Sequence, residues 1–140
     1  MKKILVFSLV FIMGLILVAC GESGQGTYFP DSSEMKSNLE SKNYNVSVSA
    51  MEQNDSTITV LTATKENEYI DFYWLDNDKE VDNIITSLES KHNDYAKLVS
   101  MKNDDKFGNL VFCSTEKAMK DSGIVIAGNV KVNVNVDVKI

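Results

Sequence analysis

The sequence predicts an α+β fold, and three patterns carry that expectation. Apolar and polar residues alternate through 45–50 and 69–75 and β-branched residues crowd 57–64, with only short polar turns between, which reads as three consecutive strands. Val81, Ile84, Ile85, Leu88, His92, Tyr95 and Val99 recur every three or four residues, the stripe of one long helix lying across a sheet. Val130, Val132, Val134, Val136, Val138 and Ile140 then alternate with Lys, Asn and Asp, the pattern of a closing amphipathic strand.

In chain order, Asp31-Ser32-Ser33-Glu34 has capping-box spacing, and Met35 and Leu39 form an i, i+4 apolar pair, so a first helix is expected over about 31–42. Val46, Val48 and Ala50 share one face of the first strand, and Ile58 and Val60 share one face of the second. In the third, Ile70, Phe72 and Trp74 should face the core, leaving Tyr69, Asp71 and Tyr73 on the opposite side. Short turns make these three an antiparallel meander. Asn77 with Glu80 has capping spacing for the long helix, predicted to run about six turns before Asn103-Asp104-Asp105 breaks it. Residues 109–113 form a fourth strand. A strand–helix–strand crossover would set it parallel to the third, at the sheet edge beside the first. Ser114 or Thr115 caps a last short helix ending at Gly123, and the final strand occupies 124–140. The expected architecture is an antiparallel three-stranded meander plus a crossover strand, a long helix on one face, short helices at both ends and a C-terminal amphipathic strand.

The N-terminal residues are of another kind. Lys2 and Lys3 precede an apolar run from Ile4 to Val18, which ends in Leu17-Val18-Ala19-Cys20. About 15 apolar residues interrupted by Ser8 and Gly14 fall short of the roughly 20 that span a bilayer, and the charged-then-apolar layout is that of an export signal. Gly21-Glu22-Ser23-Gly24-Gln25-Gly26 has the composition of a flexible linker. On these residues the chain resembles the small lipobox-bearing lipoproteins of low-GC Gram-positive bacteria. The resemblance implies cleavage before Cys20, a diacylglyceryl thioether on its sulfur, and residence on the extracytoplasmic face of the cell membrane. Two or three acyl chains hold a protein stably where one does not. The expected division is therefore a signal peptide (1–19), a tether (20–30) and a single domain (31–140).

Loss of the signal leaves 121 of 140 residues, enough for one core. It also removes Lys2 and Lys3 from 14 lysines, leaving 12 against 20 carboxylates, a net charge of −8 with no arginine. That balance excludes nucleic acid as a partner. With Cys20 acylated, Cys113 cannot form an internal disulfide, so stability must come from packing.

No motif points to a cofactor, a metal or a catalytic centre. His92 and Cys113 raise the idea of a thiol dyad, set aside because His92 belongs to the helix stripe and nothing supplies an oxyanion hole. Asp76 to Asp82 starts like a calcium loop, but Val81 stands at the glycine position and Ser87 at the bidentate glutamate position. Tyr69, Asp71 and Tyr73 are the surface candidates, two aromatic rings flanking a carboxylate that suit a protein or glycan partner. The tail 129–140 either closes the protein's own sheet or pairs with a partner's strand. The expected function is a membrane-anchored binding or interaction module. The alternatives are a small envelope enzyme using carboxylates such as Asp71 and Asp76, or a solute-binding accessory lipoprotein; the latter usually closes two lobes where this chain has room for one.

Overall fold

The computed structural model describes residues 26–127 except Asp94 and Ala96. Cys20, the expected signal peptide and most of the expected C-terminal strand (128–140) lie outside the described residues. The elements are α1 (Ser32–Ser41), β1 (Asn45–Gln53), β2 (Ser56–Lys65), β3 (Glu68–Leu75), α2 (Val81–Lys91), β4 (Lys97–Asp104), β5 (Gly108–Ser114) and α3 (Glu116–Asp121). The five strands form one antiparallel sheet in the order β1-β2-β3-β5-β4. This is a mainly β fold with three short helices, not the α+β fold expected from the sequence.

The correction originates in one segment. The apolar stripe continues through Tyr95 and Val99, but α2 stops at Lys91 and His92 turns extended, with φ −120° and ψ 118°. Residues 97–104 form a strand, an extra pass through the sheet. Leu98, Val99 and Met101 are buried on alternate sides of a sheet covered on both faces, so the strand lacks clean period-two alternation. The extra pass reverses the chain, and β5 enters antiparallel between β3 and β4 rather than parallel beside β1. Because β3 and β4 both run antiparallel to β5, the β3–α2–β4 connection is a crossover between parallel strands with β5 between them, and no two neighbouring strands among the described residues are parallel.

Other local expectations fare differently. Asp31 caps α1, its carboxylate accepting the Glu34 N–H at 2.8 Å. Asn77 does not cap α2; its side chain accepts from Ser56 Oγ and Lys79 N, lashing the β3–α2 connection to β2. Asn54 and Asp55 both hold positive φ, the two-residue hairpin turn that matches strand twist. Gly123 has φ +91°, and an added Cβ would stand 2.6 Å from Asn38 Nδ2, so the reversal after α3 needs glycine. Part of the expected tether belongs to the domain: Tyr28 pairs with Val125 in a two-residue bridge, and Phe29 packs edge-on against Phe72, Phe107 and Phe112.

Two apolar layers result. On one face, α1, α3 and the 27–30 segment cover Leu61, Ile70, Phe72, Leu110 and Phe112. On the other, Val81, Ile84 and Leu88 of α2 cover Ile58, Leu75, Val111 and Cys113. Asp121 joins the helical layer, held by Lys117 at 2.8 Å and the Tyr44 hydroxyl at 2.9 Å.

Phe72 and Phe112 stack in parallel at 5.2 Å with no exposure. Phe112→Ala is expected to cost about 3–5 kcal/mol in urea unfolding; a loss under 1 kcal/mol would contradict their central place. Lys117 and Tyr44 hold the Asp121 carboxyl below its ordinary value. Its stabilisation is present above the ordinary carboxylate range and is lost as pH falls through the lowered folded value. Asp121→Asn should flatten the acid limb of the Tm–pH curve, and an unchanged limb would count against this.

Candidate functional site

Two places on the α2 side of the sheet concentrate polar groups among apolar ones. The first surrounds Asp71. Strand alternation turns it with Tyr69 and Tyr73 away from the Phe72 layer, and α2 lies over that side. Asp71 is only 3% exposed. Its Oδ2 receives Lys91 Nζ at 2.9 Å and contacts His92 Nε2 at 2.7 Å. The His92 ring stacks on Tyr69, centroids 3.9 Å apart and planes 9° from parallel. The sheet register sets Cys113 directly across from Asp71, and its thiol is buried.

The surface-face reading of Tyr69, Asp71 and Tyr73 therefore changes. Tyr69 and Asp71 are buried under α2 and Tyr73 is half-buried. The physical reason is the second helical layer, which turns the face opposite Phe72 into interior. Asp71 is engaged by two basic side chains that leave the end of α2, and the group works as a latch between helix and sheet. Asp76, the other carboxylate considered for chemistry, accepts the Thr57 N–H at 2.9 Å and Asn77 Nδ2 at 3.0 Å.

The second place is a cleft of about 190 Å³ between β1–β3 and the N-terminal half of α2. Met51, Ile58, Tyr73 and Ile84 give it apolar walls, and Gln53, Asn83 and Glu80 give it polar ones. Glu80 accepts from Asn54 Nδ2 at 2.6 Å, Asn83 Nδ2 at 3.1 Å and Gln53 Nε2 at 3.3 Å. The bonds from Asn54 and Asn83 hold its carboxyl below the ordinary range. Burial raises the Tyr73 phenol, with Asp71 adding to the shift, so its hydroxyl stays protonated at neutral pH. Sequence reading missed this cleft because its residues come from four separated elements. The one local hint was Glu80, a charge immediately before the apolar stripe.

A cleft of this size is smaller than the roughly 300–1,000 Å³ typical of sites that enclose a whole small molecule. It admits one side chain or a comparable group. Among the described residues no cluster of three or more His, Cys, Asp or Glu is placed to hold a metal, and no helix is long and apolar enough to cross a membrane. Comparison of the chain with protein-family models, with curated proteins and with solved structures finds no match.

Removing His92 leaves a buried carboxylate oxygen short of one partner. His92→Ala should cost roughly 1–3 kcal/mol in denaturant unfolding. It should also speed amide exchange in the last turn of α2; unchanged exchange there would show that the pair does not hold the helix down.

Proposed function

We propose that this chain is a lipid-anchored interaction module on the extracytoplasmic face of the cell membrane. The sequence around Cys20 supports the anchor, and the 190 Å³ cleft supports the activity. The cleft carries the binding half of the reading: it opens beside the exposed Met51, combines apolar walls with amide and carboxylate groups, and suits a side chain presented by a larger protein partner. Engagement would bury Met51 and set the incoming group against Ile84, while Gln53 and Asn83 supply directional hydrogen bonds at the rim. Binding at such a site is expected to be modest in each copy. Tethering compensates by confining the module to the surface where its partner is presented.

The two halves have separate tests. Cells fed labelled palmitate should label the wild-type chain and not Cys20→Ala, which should also leave the membrane fraction; retained label would overturn the anchor. A photo-crosslinking residue at Ser87, on the α2 wall of the cleft, should capture a discrete protein in intact cells. The same group at exposed Lys36 on α1 should not. Equal capture at both positions, or none at Ser87, would overturn the cleft as the binding surface.

A further inference from the structure

The two edges of the sheet are built differently. β4 carries Lys97 and Lys102 and a register irregularity between Met101 and Asp104, the devices that discourage pairing at an edge. β1 has none of them. Its nine residues, Asn45–Gln53, include no proline, no lysine and one charge, Glu52, and all but Val46 are exposed. Val48 and Met51 are 38% and 42% exposed. Among the described residues no strand lies on its outer side.

The open groups can be assigned. Thr57 C=O accepts the Asp76 N–H at 3.2 Å, so the Thr57 backbone points toward β3, and its β1 partner Glu52 is a non-hydrogen-bonded pair to it. By alternation, Val46, Val48, Ala50 and Glu52 direct their N–H and C=O groups outward. This set is self-complementary. Antiparallel pairing about a two-fold axis at Ser49 matches Val48 with Ala50 of a second copy and Val46 with Glu52, giving roughly eight hydrogen bonds. Ser49 then faces its own copy across the axis.

Charge favours the same arrangement. Lys42 and Lys65 stand together at the start of β1, with Lys65 Nζ on the Lys42 carbonyl at 2.8 Å. Glu52 stands at its other end with Asp55, whose carboxylate lies 3.8 Å from Lys79 Nζ, so Glu52 is the carboxylate that the strand itself offers there. Antiparallel two-fold pairing sets the basic end of each copy against the acidic end of the other, twice, with no like charges directly opposed along the strands. It also joins Val46, Val48 and Ala50 of both copies into one apolar strip.

We propose that β1 is a self-association edge, occupied by β1 of a second copy of this chain in a symmetric dimer with one continuous ten-stranded sheet. The inference does not depend on the lipid anchor.

The test uses the full-length protein in intact cells under mild oxidation, wherever in the cell it resides. A non-hydrogen-bonded pair brings Cα atoms to about 4.5 Å, within disulfide range. Ser49→Cys should therefore give a disulfide-linked dimer on non-reducing gels. Wild type should not, nor should Ser47→Cys, whose counterpart across the axis is Met51. The double variant Ser47→Cys/Met51→Cys should crosslink again. Ala50→Pro removes only an outward N–H and should abolish Ser49→Cys crosslinking while circular dichroism stays that of wild type. Equal crosslinking of Ser49→Cys and Ser47→Cys would overturn the proposal, as would none from Ser49→Cys. So would a dimer that survives Ala50→Pro or is lost only when 129–140 is deleted.

Discussion

The rest of the structure depends on β3 being covered on both sides. It is the middle strand of five, and its residues alternate between a layer of α1 and α3 and a layer formed by α2. Ile70 and Phe72 belong to the first, and Tyr69 and Leu75 to the second. A sheet with helices on one face can leave its other face polar, but here no β3 side chain is fully exposed. A carboxylate on such a strand must find partners inside the protein. Asp71 finds them where α2 ends, and His92 leaves the helical path to contact it. The end of α2, the start of β4 and the burial of Asp71 are thus one arrangement.

That arrangement explains what was legible in the sequence. β1, β2 and β3 could be read because their alternation is strong and their turns are short. Asp31 could be read because capping is decided within four residues. α2 was overextended because Tyr95 and Val99 continue its period, and nothing within the helix says that Asp71, about 20 residues earlier, draws His92 out of it. β4 was lost for a related reason: Leu98 and Val99 are consecutive and buried on opposite faces, which a two-layer pattern does not anticipate. Once β4 is missed, the direction of β5 is wrong by necessity, because one uncounted reversal turns antiparallel into parallel. The cleft was illegible on different grounds, since it exists only after α2 has been packed onto the sheet beside Met51, Ile58 and Tyr73.

The same placement leaves the two edges unequal. α2 contacts β4 and β5, and its Asp82 reaches Lys102 of β4 at 2.7 Å, so cover and charge gather at that edge. α1 lies against β1 and β2, yet Val48 and Ala50 remain exposed on its side of the sheet, and Ser49 and Met51 on the other. Among the described residues one edge is finished and the other is open. A protein with a net charge of −6 repels its own kind at long range, but that repulsion is screened beyond about 10 Å at ordinary salt. The β1 edge itself carries a single carboxylate, so close approach there meets little like-charge opposition.

The N-terminal start of the described chain and the β1 edge lie at opposite sides of the sheet. Gly26 lies by the β4–β5 turn, with Lys106 Nζ 3.9 Å from where its Cβ would stand. Four inter-strand steps of about 4.8 Å separate β4 from β1, so the described chain begins roughly 19 Å from the open edge. A two-fold axis places equivalent points of both copies at the same height along it. Under the anchoring proposed above, an axis normal to the membrane would let both N-termini approach the same leaflet without crossing the shared sheet. The cleft meets the same condition, because it opens beside Met51, whose counterpart across the axis is the short side chain of Ser47. Pairing at β1 would frame the mouth of the cleft and leave room for an incoming side chain.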